Sequence, residues 1–106
     1  MLGHGRRIAM YSDADIVAIY EKLRERYPVI IRRSLAVSDK FKIDFPVLCG
    51  ASALGKFEVF FDGVSFPFYV CRDHGEPDAH WHLQTPVELE KTVVEFMEGK
   101  PSAIPF

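Results

Sequence analysis

The 106-residue chain has few cysteines, little excess charge and no long apolar run. Its two cysteines, Cys49 and Cys71, are too few for a disulfide framework and too far apart for a CxxC element, so we expect reduced thiols in a cytoplasmic protein. A net charge of −2 argues against a nucleic-acid binder that relies on bulk positive charge. The apolar runs fall well short of the ~20 residues of a membrane span, so we expect no membrane partner either.

Enzyme signatures are also missing. The chain contains no phosphate-binding glycine loop, no dinucleotide-binding glycine pattern and no serine in a G-x-S-x-G context. The sequence therefore favours a non-catalytic protein over an enzyme.

The composition is that of one folded domain. Apolar residues make up 48% of the chain and charged residues 26%, close to the globular average. We expect a single domain over residues 1–106, with residues 1–10 as a flexible N-terminal extension, because that stretch has no apolar periodicity.

Two helices are predicted, one near each end of the chain. Ser12 and Asp15 form a capping-box pattern, and the helix that they begin should end at Tyr27, because Pro28 follows. The apolar stripe of this helix consists of Ile16, Ile19, Tyr20, Leu23 and Tyr27.

The second helix should begin at the cap residue Thr85, with Pro86 and Glu88 in its first turn, and end at Gly99. Its apolar stripe consists of Leu89, Val93, Phe96 and Met97.

Between the helices the apolar period changes to two, as in strands. In Lys56–Cys71, the pair Asp62–Gly63 is typical of a tight hairpin turn, which would place Val59 opposite Phe66. Further strands are predicted at Val29–Val37, at Phe45–Ala51 and around Ala79, Trp81 and Leu83. The predicted fold is α+β: an antiparallel meander of about four to five strands, with both helices packed on one face.

Two helices cover only one face of such a sheet, so the other face is left for solvent or a partner. Strand alternation places Cys71 there together with the six residues that we predict to bind a protein, Lys56, Glu58, Phe60, Tyr69, His80 and His82. Exposed aromatic clusters often mark association sites, although a lone exposed Phe60 would need no explanation. We therefore predict a non-catalytic protein that acts by protein–protein contact through this face, either as a homodimer or as a binder and regulator of another protein, such as an immunity-type inhibitor.

A Cys/His cluster provides the alternative. The spacing Cys71-x2-His74-x5-His80-x-His82 could bring a thiolate and imidazoles together on zinc, in a metal-binding protein or a metal-dependent enzyme. Cys71 beside His80 could also form the thiolate–imidazolium pair of a cysteine enzyme. The simpler explanation is that outward positions of a strand take polar residues, in which case no cofactor is needed.

Charge is distributed unevenly along the chain. Residues 1–56 hold ten Lys and Arg against six Asp and Glu, whereas residues 57–106 hold three against nine. This asymmetry predicts either ordinary solvated faces or a dipolar surface that orients a charged protein partner.

Overall fold

The computed structural model describes residues 10–34, 44–72 and 79–104. The predicted extension before Met10 and the proposed ligand His74 therefore lie outside the described residues. The chain forms helix α1 (Asp13–Leu23), strands β1 (Ile30–Ser34), β2 (Phe45–Ser52), β3 (Gly55–Val59), β4 (Phe66–Cys71) and β5 (Ala79–Leu83), helix α2 (Pro86–Met97) and a 3-10 turn (Pro101–Ala103). The sheet is an antiparallel meander in the order β1-β2-β3-β4-β5, which confirms the predicted α+β class.

The start of α1 follows from its capping box. The Ser12 N–H donates to Asp15 Oδ2 at 2.8 Å, and the Ala14 N–H donates to Ser12 Oγ at 3.2 Å. Both bonds satisfy donors that the first turn leaves without a helical acceptor. The helix ends at Leu23 rather than at the predicted Tyr27, and the chain continues in turns in which the Arg26 and Tyr27 N–H groups both donate to the Leu23 carbonyl, at 3.0 and 2.9 Å.

Helix α2 is capped at both ends. Thr85 Oγ1 accepts the Glu88 N–H at 3.1 Å, while Glu88 Oε1 reaches back to the Gln84 N–H at 2.7 Å. Gly99 takes a φ of +74°, and the N–H groups of Gly99 and Lys100 bond to carbonyl oxygens of the last turn, as in a Schellman motif. Neither helix of the described chain has the length and apolarity needed to cross a membrane.

Both helices pack on the same face of the sheet. The helices and this face of the sheet enclose one apolar core. Its largest fully buried side chains are Ile16, Leu23, Leu48, Phe57, Val59, Phe66, Phe68, Val70, Leu89, Val93 and Phe96. Across the surface, Lys22 Nζ lies 3.0 Å from Glu90 Oε2, and the Tyr27 hydroxyl donates to Glu98 Oε2 at 2.5 Å. The two helices are thus held to the sheet by apolar burial and to each other by polar contacts at their ends.

The register of β3 and β4 differs from the predicted one by two residues. Val59 pairs with Phe68, not with Phe66. The turn is centred on Gly63 and the residue after it, because the Asp62 N–H donates to the Ser65 carbonyl at 3.0 Å. Gly63 has a φ of +102°, which suits the first central position of such a turn.

Pro67 explains why the shifted register is preferred. In the predicted register Phe61 and Val64 form the hydrogen-bonded closing pair, so Glu58 and Pro67 form a non-hydrogen-bonded pair. The Pro67 nitrogen would then point toward β5, where the missing N–H removes a ladder bond. In the observed register β3 ends at Val59, opposite Phe68, so Pro67 lies beyond the end of that ladder. A shift of two residues keeps every side chain on its own face, so the predicted assignment of faces is correct although the predicted register is wrong.

Candidate functional site

The sheet face that the helices leave uncovered holds all six residues predicted to bind a protein. We call it the open face. Strand pairing places Tyr69 between Glu58 and His80, and Lys56 beside Cys71. The open face consists of Ile30, Arg32, Ser34, Phe45, Val47, Cys49, Ala51, Lys56, Glu58, Phe60, Pro67, Tyr69, Cys71, His80 and His82.

Aromatic and imidazole rings form a continuous series across the open face. Phe45 and Phe60 have ring centroids 5.2 Å apart, and Phe60 stacks on Tyr69 at 6.2 Å with an interplanar angle of 6°. Tyr69 stacks on His80 at 4.9 Å, and His80 meets His82 edge-on at 5.7 Å. We call these five residues the ring ladder. It runs from β2 to β5 because the register places one ring each on β2, on the loop after β3 and on β4, and two rings on β5.

Burial is graded across the open face. Val47 is 3% exposed and Pro67 is also buried, although neither faces the helices. The rings of Phe45, Phe60 and Tyr69 are half-buried, whereas His80 and His82 are exposed. The face is therefore partly dry at its centre and solvated along β5.

Charge on the open face is concentrated near β1 and β3. Arg32 Nη2 lies 2.7 Å from Glu58 Oε2, so these two charges compensate each other. Burial raises the pKa of the Cys49 thiol, and a hydrogen bond with Arg32 opposes that rise. Lys56 is exposed and has no ion pair with any residue that the structure describes. With Ile30, which is 57% exposed, these residues line a shallow groove of about 320 Å³.

A polar cluster that the sequence analysis missed lies at the end of the ring ladder. Ser65 Oγ is 2.8 Å from His82 Nδ1 and 3.3 Å from Asp62 Oδ2. The Asp62 carboxylate also accepts the N–H groups of Val64 and Ser65, both at 2.8 Å. Burial acts to raise the pKa of Asp62, but these backbone hydrogen bonds outweigh it and lower the pKa. An Asp three residues before a Ser is typical of turns stabilised by side chains, and that signal was present in the sequence.

This cluster does not have the geometry of a hydrolytic triad. In a triad the serine and the carboxylate contact opposite ring nitrogens of the histidine. Here Asp62 Oδ2 is 3.9 Å from His82 Nδ1, the same nitrogen that contacts Ser65, and Ser65 is only 5% exposed. The cluster instead ties the β3–β4 turn to β5.

The predicted metal ligands are brought together only in part. Cys71, His80 and His82 lie on the same face of adjacent strands, as expected. Within residues 10–34, 44–72 and 79–104, however, no group of three or more His, Cys, Asp or Glu side chains is arranged to hold a metal ion. Neither Cys71 nor Cys49 forms a disulfide.

Some charges from the two halves of the sequence meet in the structure. The ion pairs Lys22–Glu90 and Arg32–Glu58 each join a basic residue of the first half to an acidic residue of the second. The halves are interleaved because β2 pairs with β3 and α1 packs beside α2.

The chain was compared with the profiles of known families, with curated proteins and with solved structures, and none of them matches it.

Proposed function

We propose that this protein is a non-catalytic cytoplasmic protein that binds another protein through the open face. The observation that carries the proposal is the ring ladder, a contiguous series of half-exposed rings on the face without helices. Aromatic side chains supply large contact areas at little conformational cost, and they are enriched at protein interfaces. Cytoplasmic location is supported by two cysteines that form no disulfide.

The chemistry of the open face specifies the kind of partner. Because Arg32 and Glu58 compensate each other, Lys56 is left as a cation without an ion pair among the residues that the structure describes, two positions along β3 from Glu58, which lies opposite Tyr69. A partner that places apolar side chains on Phe60 and Tyr69 and a carboxylate near Lys56 would be complementary. Such a partner is an acidic protein surface with an apolar centre, and binding to it would suit a regulator or an immunity-type inhibitor.

The test uses a charge introduced into the ladder and a matched charge introduced elsewhere. Tyr69→Asp places a carboxylate at the centre of the open face, whereas Val87→Asp places one on α2, at a side chain that is 79% exposed. Both variants should keep the wild-type circular dichroism, because neither side chain belongs to the buried core.

We expect one partner to be recovered from host extract by wild type and by Val87→Asp but not by Tyr69→Asp. The purified partner should then bind at a stoichiometry of one to one, with a dissociation constant at least about tenfold higher for Tyr69→Asp. Hydrogen exchange in the complex should be slowed in β3, β4 and β5. Equal recovery by Tyr69→Asp, recovery of nothing by wild type, or protection confined to the helices would each contradict the proposal.

Metal content separates this proposal from the alternative of a Cys71, His74, His80 and His82 metal site. Protein purified without chelators should contain no stoichiometric metal if the open face acts through contact alone. About one zinc ion per chain, lost in His80→Ala, would favour the metal site instead.

A further inference from the structure

The two edges of the sheet are protected to different degrees. Strand β1 carries Arg32 and Arg33, and Arg33 Nε lies 3.0 Å from Asp44 Oδ1, so charged side chains flank that edge. Strand β5 reads Ala-His-Trp-His-Leu and contains no Lys, Arg, Asp, Glu or Pro. Charges and prolines are the usual means by which edge strands avoid pairing with another chain. Among the described residues, strand β5 is thus the edge that is open to pairing.

The backbone of β5 has donors and acceptors that point away from the sheet. Pro67 has no N–H, so its pair with His82 cannot exchange both ladder hydrogen bonds. The backbone groups of His80 and His82 therefore point outward, and in agreement the Gln84 side-chain amide donates to the His82 carbonyl at 3.1 Å. No strand of the described chain lies beyond β5.

The order of side chains in β5 is symmetric about Trp81. In an antiparallel pair of two β5 strands centred on Trp81, His80 lies opposite His82 of the other copy and Ala79 opposite Leu83, so each apolar residue faces an apolar one. A two-fold interface requires this kind of self-complementarity. Trp81 packs against Phe68 with ring centroids 5.1 Å apart, yet it stays half-buried because it lies on the last strand.

We infer that β5 is a dimerisation edge, at which a second copy of this chain adds its own β5 antiparallel and makes one continuous ten-strand sheet. The outward N–H and C=O groups of His80 and His82 pair across the axis, where the second copy replaces the exposed Gln84 amide at the His82 carbonyl, and the two Trp81 rings meet on the helix side. The open faces of both copies remain uncovered, so this inference does not depend on the proposed function.

The test measures mass against concentration together with the fluorescence of Trp81, the single tryptophan. We expect light scattering to give twice the 12.1 kDa chain mass at high concentration, and the tryptophan emission to shift to the red on dilution as Trp81 becomes solvated. His80→Pro removes an outward N–H, which an edge strand tolerates, and should weaken dimerisation at least about tenfold. His80→Ser keeps that N–H and should dimerise like wild type.

Tyr69→Asp separates this inference from the proposed function, because it alters the open face and leaves the β5 backbone unchanged. It should lose the partner and keep the dimer. A wild-type protein that stays monomeric up to millimolar concentration would overturn the inference. This measurement does not depend on the folding of His80→Pro. The inference would also be overturned by a dimer that His80→Pro leaves intact, or by one that Tyr69→Asp abolishes.

Discussion

Phe68 and Tyr69 are neighbours on β4, yet they belong to two very different aromatic clusters. Phe68 is fully buried and lies against Phe57, with ring centroids 5.0 Å apart, and against Phe96 at 5.9 Å. Tyr69 faces the other way and stacks on rings that are half-buried or exposed. Both faces of the sheet are rich in rings, so the position of the helices, and not the type of residue, decides which cluster becomes the core.

The largest effect should come from truncating rings on the two faces. Phe68→Ala should lower the free energy of unfolding by about 3–5 kcal/mol, because it leaves a cavity in a core that cannot collapse around it. Phe60→Ala, on the open face, should lower it by about 1 kcal/mol, since its ring is already half-solvated. Urea denaturation measures both changes. Similar losses for the two variants would show that the open face is a second core.

A smaller contrast is expected between neighbouring positions of β2. A Cβ added at Gly50 would lie 2.6 Å from Phe57 Cε2 and 2.8 Å from Met97 Sδ, so Gly50→Ala should destabilise by about 1–3 kcal/mol. Ala51 is exposed on the opposite face, and Ala51→Ser should change stability by less than about 0.5 kcal/mol. Thermal melts of both variants give the comparison, and a Gly50→Ala protein as stable as wild type would show that α2 packs more loosely than the structure indicates.

The stability of the turn between β3 and β4 should depend on pH. The pKa of Asp62 is lowered in the folded state, so its contribution to stability is present above the ordinary aspartate range, about pH 4, and is lost as pH falls through the lowered value. Asp62→Asn should therefore be less stable than wild type near pH 7 by about 1 kcal/mol, and the difference should shrink as the pH falls below about 3. Denaturation measured from pH 7 to pH 2 tests this, and a difference that does not depend on pH would exclude the charge as its cause.

The smallest effect should come from the exposed ion pair on the open face. Arg32→Ala removes the contact with Glu58 and should destabilise by about 0.2–1 kcal/mol, because both side chains are solvated. Added salt should reduce the difference from wild type. Denaturant curves at low and high salt measure it, and a loss above about 2 kcal/mol would mean that this pair is shielded from water.

The sequence was most informative where short-range rules apply. The caps at Ser12 and Thr85 and the terminal glycine at Gly99 were predicted correctly, because each depends on hydrogen bonds or dihedral angles within a few residues. The faces of the strands followed from alternation alone. The hairpin register was predicted wrongly because the rule for Asp-Gly turns does not account for Pro67, which lies outside the turn.

The candidate site was predictable as a set of residues but not as an arrangement. Phe60, Tyr69, His80 and His82 were assigned to one face from periodicity, and that assignment holds. Their stacking into one series depends on the pairing of four strands, and such pairing joins residues that are distant in the chain. The contact of Ser65 with His82 is likewise a product of tertiary structure, because seventeen positions of chain separate them.

By itself, the sequence determined the two helices, the strands, the α+β class and the side of the sheet on which each side chain lies, since these depend on local periodicity and capping. Tertiary structure alone decided the register at Pro67, the intermixing of charge from the two halves and the difference in protection between β1 and β5. The physical reason is that apolar burial is non-directional: it selects which side chains point inward, whereas partners across the sheet are selected by backbone hydrogen bonds between distant segments.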